Sequence, residues 1–231
     1  LWQVPATHFT SARSDGTLSG HRLLVWTPRA YFFIVWNSER GRLADARVRR
    51  ALTMLVDRRR FDQIAFGGHA RPITGPYPLG TPSYDASIQP LPFDPAAARR
   101  LLDEAGVKTM KLTFLYYGAS RSAEQLGTLM KEDFAKAGVT LELASVDFAV
   151  QLDRLRHHAF DASALQWTLS LEQDNYQLFH SSQAEGGENF GSWKSPAADA
   201  LLEQIRNTTD DAARHALDRK LHQLVPDEQP Y

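Results

Sequence analysis

The sequence predicts an α/β fold with a mixed, largely parallel sheet flanked by helices. From Lys111 to Trp167, apolar strand-like runs alternate with amphipathic helical segments, an order typical of parallel strands joined by helical crossovers. Hydrophobic residues form 43% of the 231-residue chain, enough to bury a core in one large domain or two small ones. No apolar run approaches the roughly 20 residues that span a bilayer.

Net charge and cysteine content exclude several functional classes. The formal net charge is -1 and the isoelectric point is about 6.8, so the chain lacks the basic field of a nonspecific nucleic-acid-binding protein. The chain has no cysteine, which excludes disulfides, thiolate metal sites and thiol catalysis. We therefore expect no nucleic-acid partner, and the cellular compartment stays open on composition alone.

The first part of the chain predicts two strands. Residues 1–20 have no sustained hydrophobic period, as expected of a surface segment. His21–Trp26 and Tyr31–Trp36 are aromatic and aliphatic runs separated by a short turn. Because the second run is apolar throughout, we expect it to form a central strand of the sheet.

Aspartates mark the starts of three predicted helices. Asp45, Asp57 and Asp94 each precede a stretch of helical periodicity, as N-cap residues do, and Pro95 suits the first helical position. The arginines between Arg47 and Arg60 are expected on the solvated face of the first two helices. The proline-rich segment between residues 69 and 92 is too long for an ordinary connection, so it is either functional or a covering loop.

The remaining elements alternate between strand and helix. Predicted strands are Lys111–Tyr117, Val139–Ala144 and Asp161–Trp167, and predicted helices are Ser122–Ala137, Phe148–Arg156, Pro196–Ile205 and Asp210–Leu224.

A candidate binding loop follows the last predicted strand. At Trp167 the apolar run turns polar without a glycine or proline break, which places an indole, carboxylates and amides at a strand end, where binding loops are common. Trp167 can stack on a ligand and donate one hydrogen bond, although a buried packing role is the alternative. Asn189 is a weaker candidate, because it can instead shape its own glycine-rich loop.

Short motifs in a fixed order resemble a known family. The motifs are Asp45–Leu52, Val56–Arg58, Gly67–Pro72, Gly75–Pro76, Phe93–Pro95, Glu104–Gly106, Ala137–Val139, Phe160–Asp161, Gln166–Trp167, Asn189–Phe190 and Ala198–Leu202. Together they resemble the extracytoplasmic solute-binding proteins, family 5, of dipeptide and oligopeptide ABC importers. The resemblance begins near Leu18 and covers most of the chain.

The resemblance implies a type II periplasmic binding protein, in which two lobes close over a ligand. Only the second, C-terminal lobe is matched, so residues 1–36 are expected to be a crossing segment and residues 37–231 the ligand-binding lobe. The chain begins without Met and ends within a polar segment, and we expect it to be a piece of a longer protein. The implied partners are a small peptide or similar polar solute, the missing N-terminal lobe and a membrane permease. The implied location is periplasmic, and we expect a monomer.

The same resemblance suggests site residues and one departure. Peptide-binding members carry an acid three positions after the tryptophan, where it receives the ligand amine, and Ser170 stands there in this chain. Glu172 or Asp174 could supply the charge from a shifted position, or Asp174 could cap the helix that follows it. Dipeptide binders also place an arginine near Tyr117, whereas here Arg121 lies a few residues on.

Two other functional classes stay open from the residues. Ser181 and Ser182 lie beside His180, but no zinc-protease pattern or Gly-x-Ser-x-Gly elbow accompanies them. An α/β hydrolase is therefore one alternative, and a docking or sensor module that uses the Arg47–Arg60 face is the other. We expect a binding protein that performs no catalysis and needs no cofactor or metal.

Overall fold

The computed structural model describes residues 8–22, 24, 28–169 and 174–231, which fold into a four-stranded sheet with helices. The strands are β1 (Ala30–Trp36), β2 (Met110–Tyr117), β3 (Val139–Val146) and β4 (Ala162–Thr168). The α-helices are α1 (Phe9–Ser14), α2 (Ala46–Met54), α3 (Arg58–Phe66), α4 (Pro95–Glu104), α5 (Arg121–Lys136), α6 (Phe148–Arg156), α7 (Tyr176–Phe179), α8 (Pro196–Asn207) and α9 (Asp211–Glu228). The predicted mixed α/β fold is confirmed.

The sheet has the strand order β1-β4-β2-β3. β2 runs parallel to both β3 and β4, whereas β1 runs antiparallel to β4. The prediction that Tyr31–Trp36 forms a central strand is wrong, because β1 lies at the edge of this sheet. Its apolar character has another cause: the backbone of Gly191 packs against Val35, and the Trp36 N–H donates to the Pro230 carbonyl at 3.4 Å. Segments distant in the sequence therefore cover the edge.

The predicted helix starts are confirmed at all three aspartates. The Asp45 carboxylate accepts from the Arg47 N–H, the Asp57 carboxylate from the Arg60 N–H, and the Asp94 carboxylate from the Ala97 N–H, each at 2.9 Å. Each bond satisfies a backbone donor that the first helical turn leaves free.

Helices α5 and α6 belong to different core clusters. α5 packs in the larger one, where Gly127 lets the helix approach Phe114 and Leu143 closely. α6 contributes Leu155 to a smaller cluster with Val35, Leu115 and other residues. Side chains of successive strand residues point to opposite faces, so Phe114 and Leu115 place these two clusters on opposite faces of β2.

Arg49 contradicts the expectation that the arginines of the first two helices are solvated. It is 4% exposed and donates hydrogen bonds to the carbonyls of Leu43, Ala44, Glu228 and Gln229. Burial lowers the pKa of its guanidinium, which nevertheless stays charged at any ordinary pH. Arg49 thus ties the start of α2 to the end of α9.

The proline-rich segment between residues 69 and 92 is a covering loop fastened to α9. His222 is fully buried, its Nε2 lies 2.9 Å from Thr74 Oγ1, and its Nδ1 accepts from the Asp85 N–H. Asp218 accepts from Tyr77 Oη at 3.0 Å and from a neighbouring serine hydroxyl of the loop. Burial lowers the pKa of His222, so its imidazole is neutral at pH 7.

Fewer predictions can be compared with the structure in the N-terminal part of the chain. Residues 23 and 25–27 of the predicted strand His21–Trp26 lie outside the described residues, and its described residues adopt no regular secondary structure. Helix α1 was not indicated by the sequence. The division of the chain at residue 36 stays a prediction. Among the described residues, every helix is too short or too polar to cross a bilayer.

Candidate functional site

A crevice opens where β2 and β4 separate. These strands pair only at Phe114 with Ala162 and at Leu115 with Ser163, although β2 continues to Tyr117 and β4 to Thr168. Beyond the last pair, the gap forms a cavity of about 380 Å³. Ligands of α/β sheets commonly bind at the carboxyl ends of parallel strands, and this cavity has that position.

The walls of the crevice are largely aromatic and aliphatic. The lining residues are Phe32, Tyr117, Ser120, Phe148, Gln151, Leu152, Leu155, Arg156, Ala164, Leu165, Gln166, Trp167, Glu188 and Phe190. Tyr117 and Phe148 meet edge to face at 5.9 Å and are 39% and 56% exposed. Exposed aromatic rings beside a concave surface offer a ligand both apolar contact and a polar tip.

Gln151 braces the point where the strands separate. This α6 side chain is 2% exposed, and its Nε2 donates to Ser163 Oγ and to the Ala164 carbonyl, both at 3.0 Å. Ser163 Oγ in turn donates to the Leu115 carbonyl at 2.8 Å. These bonds replace the strand pairing that stops here, so the crevice is held open by the protein's own polar groups.

Trp167 lines the crevice, and its ring also packs against core residues. The indole lies nearly parallel to Phe33 and Phe190, with centroids 6.1 and 6.2 Å away. Its Nε1 is buried and has no hydrogen-bond partner among the described residues. The donor expected for a ligand is therefore turned away from solvent, and the ring supplies the exposed contact.

Asn189 and Asp174 are engaged within the protein. Asn189 is 1% exposed, donates to the carbonyls of His180 and Trp193 and accepts from the Trp193 N–H, so it shapes its own loop. Asp174 accepts from the Tyr176 N–H and from Arg206 Nε, both at 3.0 Å. Burial alone would raise the pKa of Asp174, but these hydrogen bonds outweigh it and lower the pKa.

The other predicted site residues divide into two groups. Arg121 is exposed at the start of α5, next to the lining residue Ser120, and forms no ion pair within the described part of the chain. Ser170 and Glu172 lie outside the described residues. The structure thus brings Trp167 and Tyr117 into one crevice, with Arg121 beside it.

Among the lining residues, the sequence predicted only Tyr117 and Trp167 as site residues, and the polar lining residues that it missed include Gln151, Arg156 and Glu188. A signal existed for Gln151, because it lies three residues after Phe148 and four before Leu155 and is therefore a polar residue on an otherwise apolar helix stripe. No comparable pattern distinguishes Arg156 from the other basic residues of α6. Within the described ranges, no group of three or more His, Asp or Glu residues is arranged to hold a metal ion.

Comparisons with known proteins match this architecture. Di/tripeptide-binding protein 4 of Pseudomonas aeruginosa is 32% identical over 74% of this chain and 33% of its own length. Di/tripeptide-binding protein 2 of the same organism is 28% identical over 81% of this chain and 36% of its own length. The chain therefore spans only about a third of these relatives.

A solved structure gives the same result for the fold. The oligopeptide-binding protein AppA from Bacillus subtilis, in complex with a nonapeptide, superposes with a TM-score of 0.89 at 23% identity. The match covers 99% of this chain and 48% of AppA. Residues 7–189 match the family described as bacterial extracellular solute-binding proteins, family 5 Middle. Since that match covers most of the sequence, the chain belongs to the bacterial extracellular solute-binding proteins of family 5.

Proposed function

We propose that this chain is one lobe of a receptor for an ABC importer, which binds a peptide or a similar small polar solute outside the cytoplasm. The observation that carries the proposal is the aromatic crevice at the ends of β2 and β4, in a member of this family. A second lobe would close over the crevice, and the ligand would stabilise the closed form through its higher affinity for that form. The closed receptor would then deliver the solute to a membrane permease.

The exposed apolar side chains near the crevice support closure against a second surface. Tyr117, Phe148 and Val150 are 39%, 56% and 42% exposed and lie at or beside the start of α6 and the end of β2. Apolar groups clustered in this way usually mark an interaction surface. Closure would remove them from water, so the isolated lobe should bind ligand more weakly than the two-lobed protein.

The hydrolase alternative is not favoured by the surroundings of His180. Ser182 Oγ lies 2.8 Å from His180 Nδ1, but the Ser182 backbone N–H donates to the same nitrogen at 3.1 Å. The lone pair that a general base would use is therefore occupied by a local turn. Neither residue lines the crevice.

The docking alternative is not favoured, because arginines of the Arg47–Arg60 face are paired or buried within the protein. Arg47 pairs with Asp45 at 2.7 Å and Arg60 with Glu132 at 2.9 Å, while Arg49 is buried. Arg50 also lies 3.7 Å from Asp227, and Arg58 donates to the Leu91 carbonyl, so most of the arginines of the Arg47–Arg60 face have partners within the fold.

Calorimetry on the two-lobed protein with a panel of di- to nonapeptides tests the proposal. We expect binding to at least one peptide, and we expect Trp167→Ala to weaken it about tenfold or more, because the ring contacts are lost. Trp167→Phe is the matched control, since it keeps an aromatic ring beside Phe33 and Phe190. No affinity for any peptide would redirect the assignment to another polar solute, such as a sugar, an opine or a nickel chelate. Equal affinity of the alanine variant and the wild type would remove Trp167 from the site.

A further inference from the structure

The crevice has a buried, mostly apolar floor, and its charged lining residues lie at the surface. The least exposed lining residues, between 1% and 5%, are Gln151, Leu155, Ala164 and Phe190. The two charged residues of this lining, Arg156 and Glu188, are both exposed. A group that enters the crevice therefore leaves these charges behind and reaches a floor that water hardly touches.

One wall of the crevice is a stripe of α6, and another wall is β4. Phe148, Gln151, Leu152 and Leu155 have the spacing i, i+3, i+4 and i+7 along α6, which places them on one face of the helix. Leu165 lines the crevice from β4. Leu152 and Leu165 pack against the smaller core cluster and yet stay half-buried, so part of each side chain faces the cavity.

The hydrogen-bond donors at the floor are engaged within the protein. Gln151 Nε2 donates to Ser163 Oγ and to the Ala164 carbonyl, and the Ser163 hydroxyl donates to the Leu115 carbonyl. A carboxylate or carbonyl that moved to this floor would lose its water and find these donors occupied, which weakens binding. An ammonium would leave water for mostly aromatic and aliphatic surroundings. An aliphatic or aromatic side chain loses no hydrogen bond by the same step.

The volume of the crevice suits a single side chain. It measures about 380 Å³, and a cavity of about 150 Å³ with apolar walls is already enough to hold benzene. A phenyl or indole ring, or a branched aliphatic chain, therefore fits. A stretch of main chain would instead bring one donor and one acceptor per residue into the cavity, where few partners are free.

We propose that the crevice is a pocket for one apolar side chain of the bound peptide, aromatic or branched aliphatic, and that Leu152 sets its size. Leu152 has this role because it lies in the middle of the α6 stripe, where a larger or smaller side chain changes the volume without removing a hydrogen bond. The peptide main chain stays at the mouth. The inference rests on the proposed function and adds the chemical class of side chain that the ligand carries.

The test is calorimetry on the two-lobed protein with the tightest-binding peptide of the di- to nonapeptide panel. Each position of that peptide is replaced in turn by Ala, Leu, Phe, Trp, Glu or Lys. At one position we expect the Leu or Phe peptide to bind about tenfold or more tighter than the Ala peptide, because an apolar side chain leaves water there. The Glu and Lys peptides should bind no tighter than the Ala peptide. Affinity ratios within one protein are compared, since general effects on folding or closure cancel in them.

Variants of Leu152 locate the selectivity. Leu152→Phe fills part of the pocket and should bring the ratio of Phe-peptide to Ala-peptide affinity close to one. Leu152→Ala enlarges the pocket and should increase the affinity for the Trp peptide relative to the Phe peptide. The matched controls are Arg154→Phe and Arg154→Ala, which change an exposed residue of the same helix outside the lining and should keep the wild-type ratios.

The outcomes separate the two proposals. Wild-type protein that binds all replacements at every position within about threefold, or that prefers Glu or Lys, would overturn the apolar pocket and leave the proposed function standing. Apolar selectivity that is the same in the Leu152 variants and in their controls would also overturn it, because the side chain would then bind elsewhere. Wild-type protein that binds no peptide would overturn both.

Discussion

Arg49 offers a direct test of how α2 is joined to the end of α9. Arg49→Met keeps most of the aliphatic bulk of the side chain but removes the donors to the carbonyls of Leu43, Ala44, Glu228 and Gln229. A buried acceptor left without a partner costs about 1 to 3 kcal/mol. Since water can reach some of these carbonyls after the change, we expect a total loss on the order of 3 kcal/mol in the free energy of unfolding.

Urea unfolding followed by circular dichroism measures this loss, and Arg47→Met provides the control. Arg47 lies two residues away and is exposed, and among the described residues it contacts its own helix cap and a distant carbonyl, so its replacement should change stability little. Arg49→Lys should fall between the two, because an ammonium is a compact donor that lacks the planar fork. If the free energies of unfolding of Arg49→Met and Arg47→Met differ by less than about 1 kcal/mol, the hydrogen bonds to residues 228 and 229 do not hold α9 in place.

Three further predictions concern packing and protonation. His222 has a lowered pKa in the folded state, so the unfolded chain takes up a proton first as the pH falls below about 6.5. Stability should therefore decrease from pH 7 to pH 5, and His222→Gln should decrease less over the same range. A Cβ at Gly127 would lie 2.9 Å from Leu143 Cδ2, so Gly127→Ala should destabilise the fold by about 1 to 3 kcal/mol despite its better helix propensity. Gln151→Leu leaves Ser163 and the Ala164 carbonyl without their donor and should cost about 1 to 3 kcal/mol.

Urea unfolding at fixed pH measures the stability of Gly127→Ala and Gln151→Leu. Urea unfolding at several pH values between 5 and 7 measures that of wild type and His222→Gln. Thr128→Ala, on the same helix as Gly127 but exposed, and Arg154→Ala, on the same helix as Gln151 but exposed, are the controls. A more stable Gly127→Ala protein would show that Leu143 and its neighbours move aside without cost. An unchanged Gln151→Leu protein would mean that the crevice does not depend on the brace. Parallel pH profiles for wild type and His222→Gln would assign the acid sensitivity to other groups.

Helix boundaries were accessible from the sequence because their causes are local. Asp45, Asp57 and Asp94 accept from backbone groups two or three residues away, so the pattern that predicts each cap contains all of its parts. The position of β1 was not accessible in the same way. Its two apolar faces indicate burial, but burial by Gly191 and Pro230 depends on contacts that no local pattern records.

The same distinction separates the site residues. Tyr117 and Trp167 were each suggested by the family resemblance. The strand order was not predicted, and the two residues share one crevice because β4 lies beside β2 rather than beside β3. Asp174 gave an ambiguous signal because a carboxylate serves a ligand and a helix start equally well, and in the structure it contacts Arg206 and the Tyr176 N–H. Glu188 could be recognised only after the fold placed its loop beside α6.

The attachment of the proline-rich loop to α9 also affects backbone opening. The Asp85 amide donates to the buried His222 imidazole, although the segment around Asp85 has no helix or strand. Hydrogen exchange at this amide should therefore require separation of the loop from α9, as a single cooperative event. Proteases that need an extended substrate should cut this long segment slowly for the same reason, despite its lack of regular secondary structure.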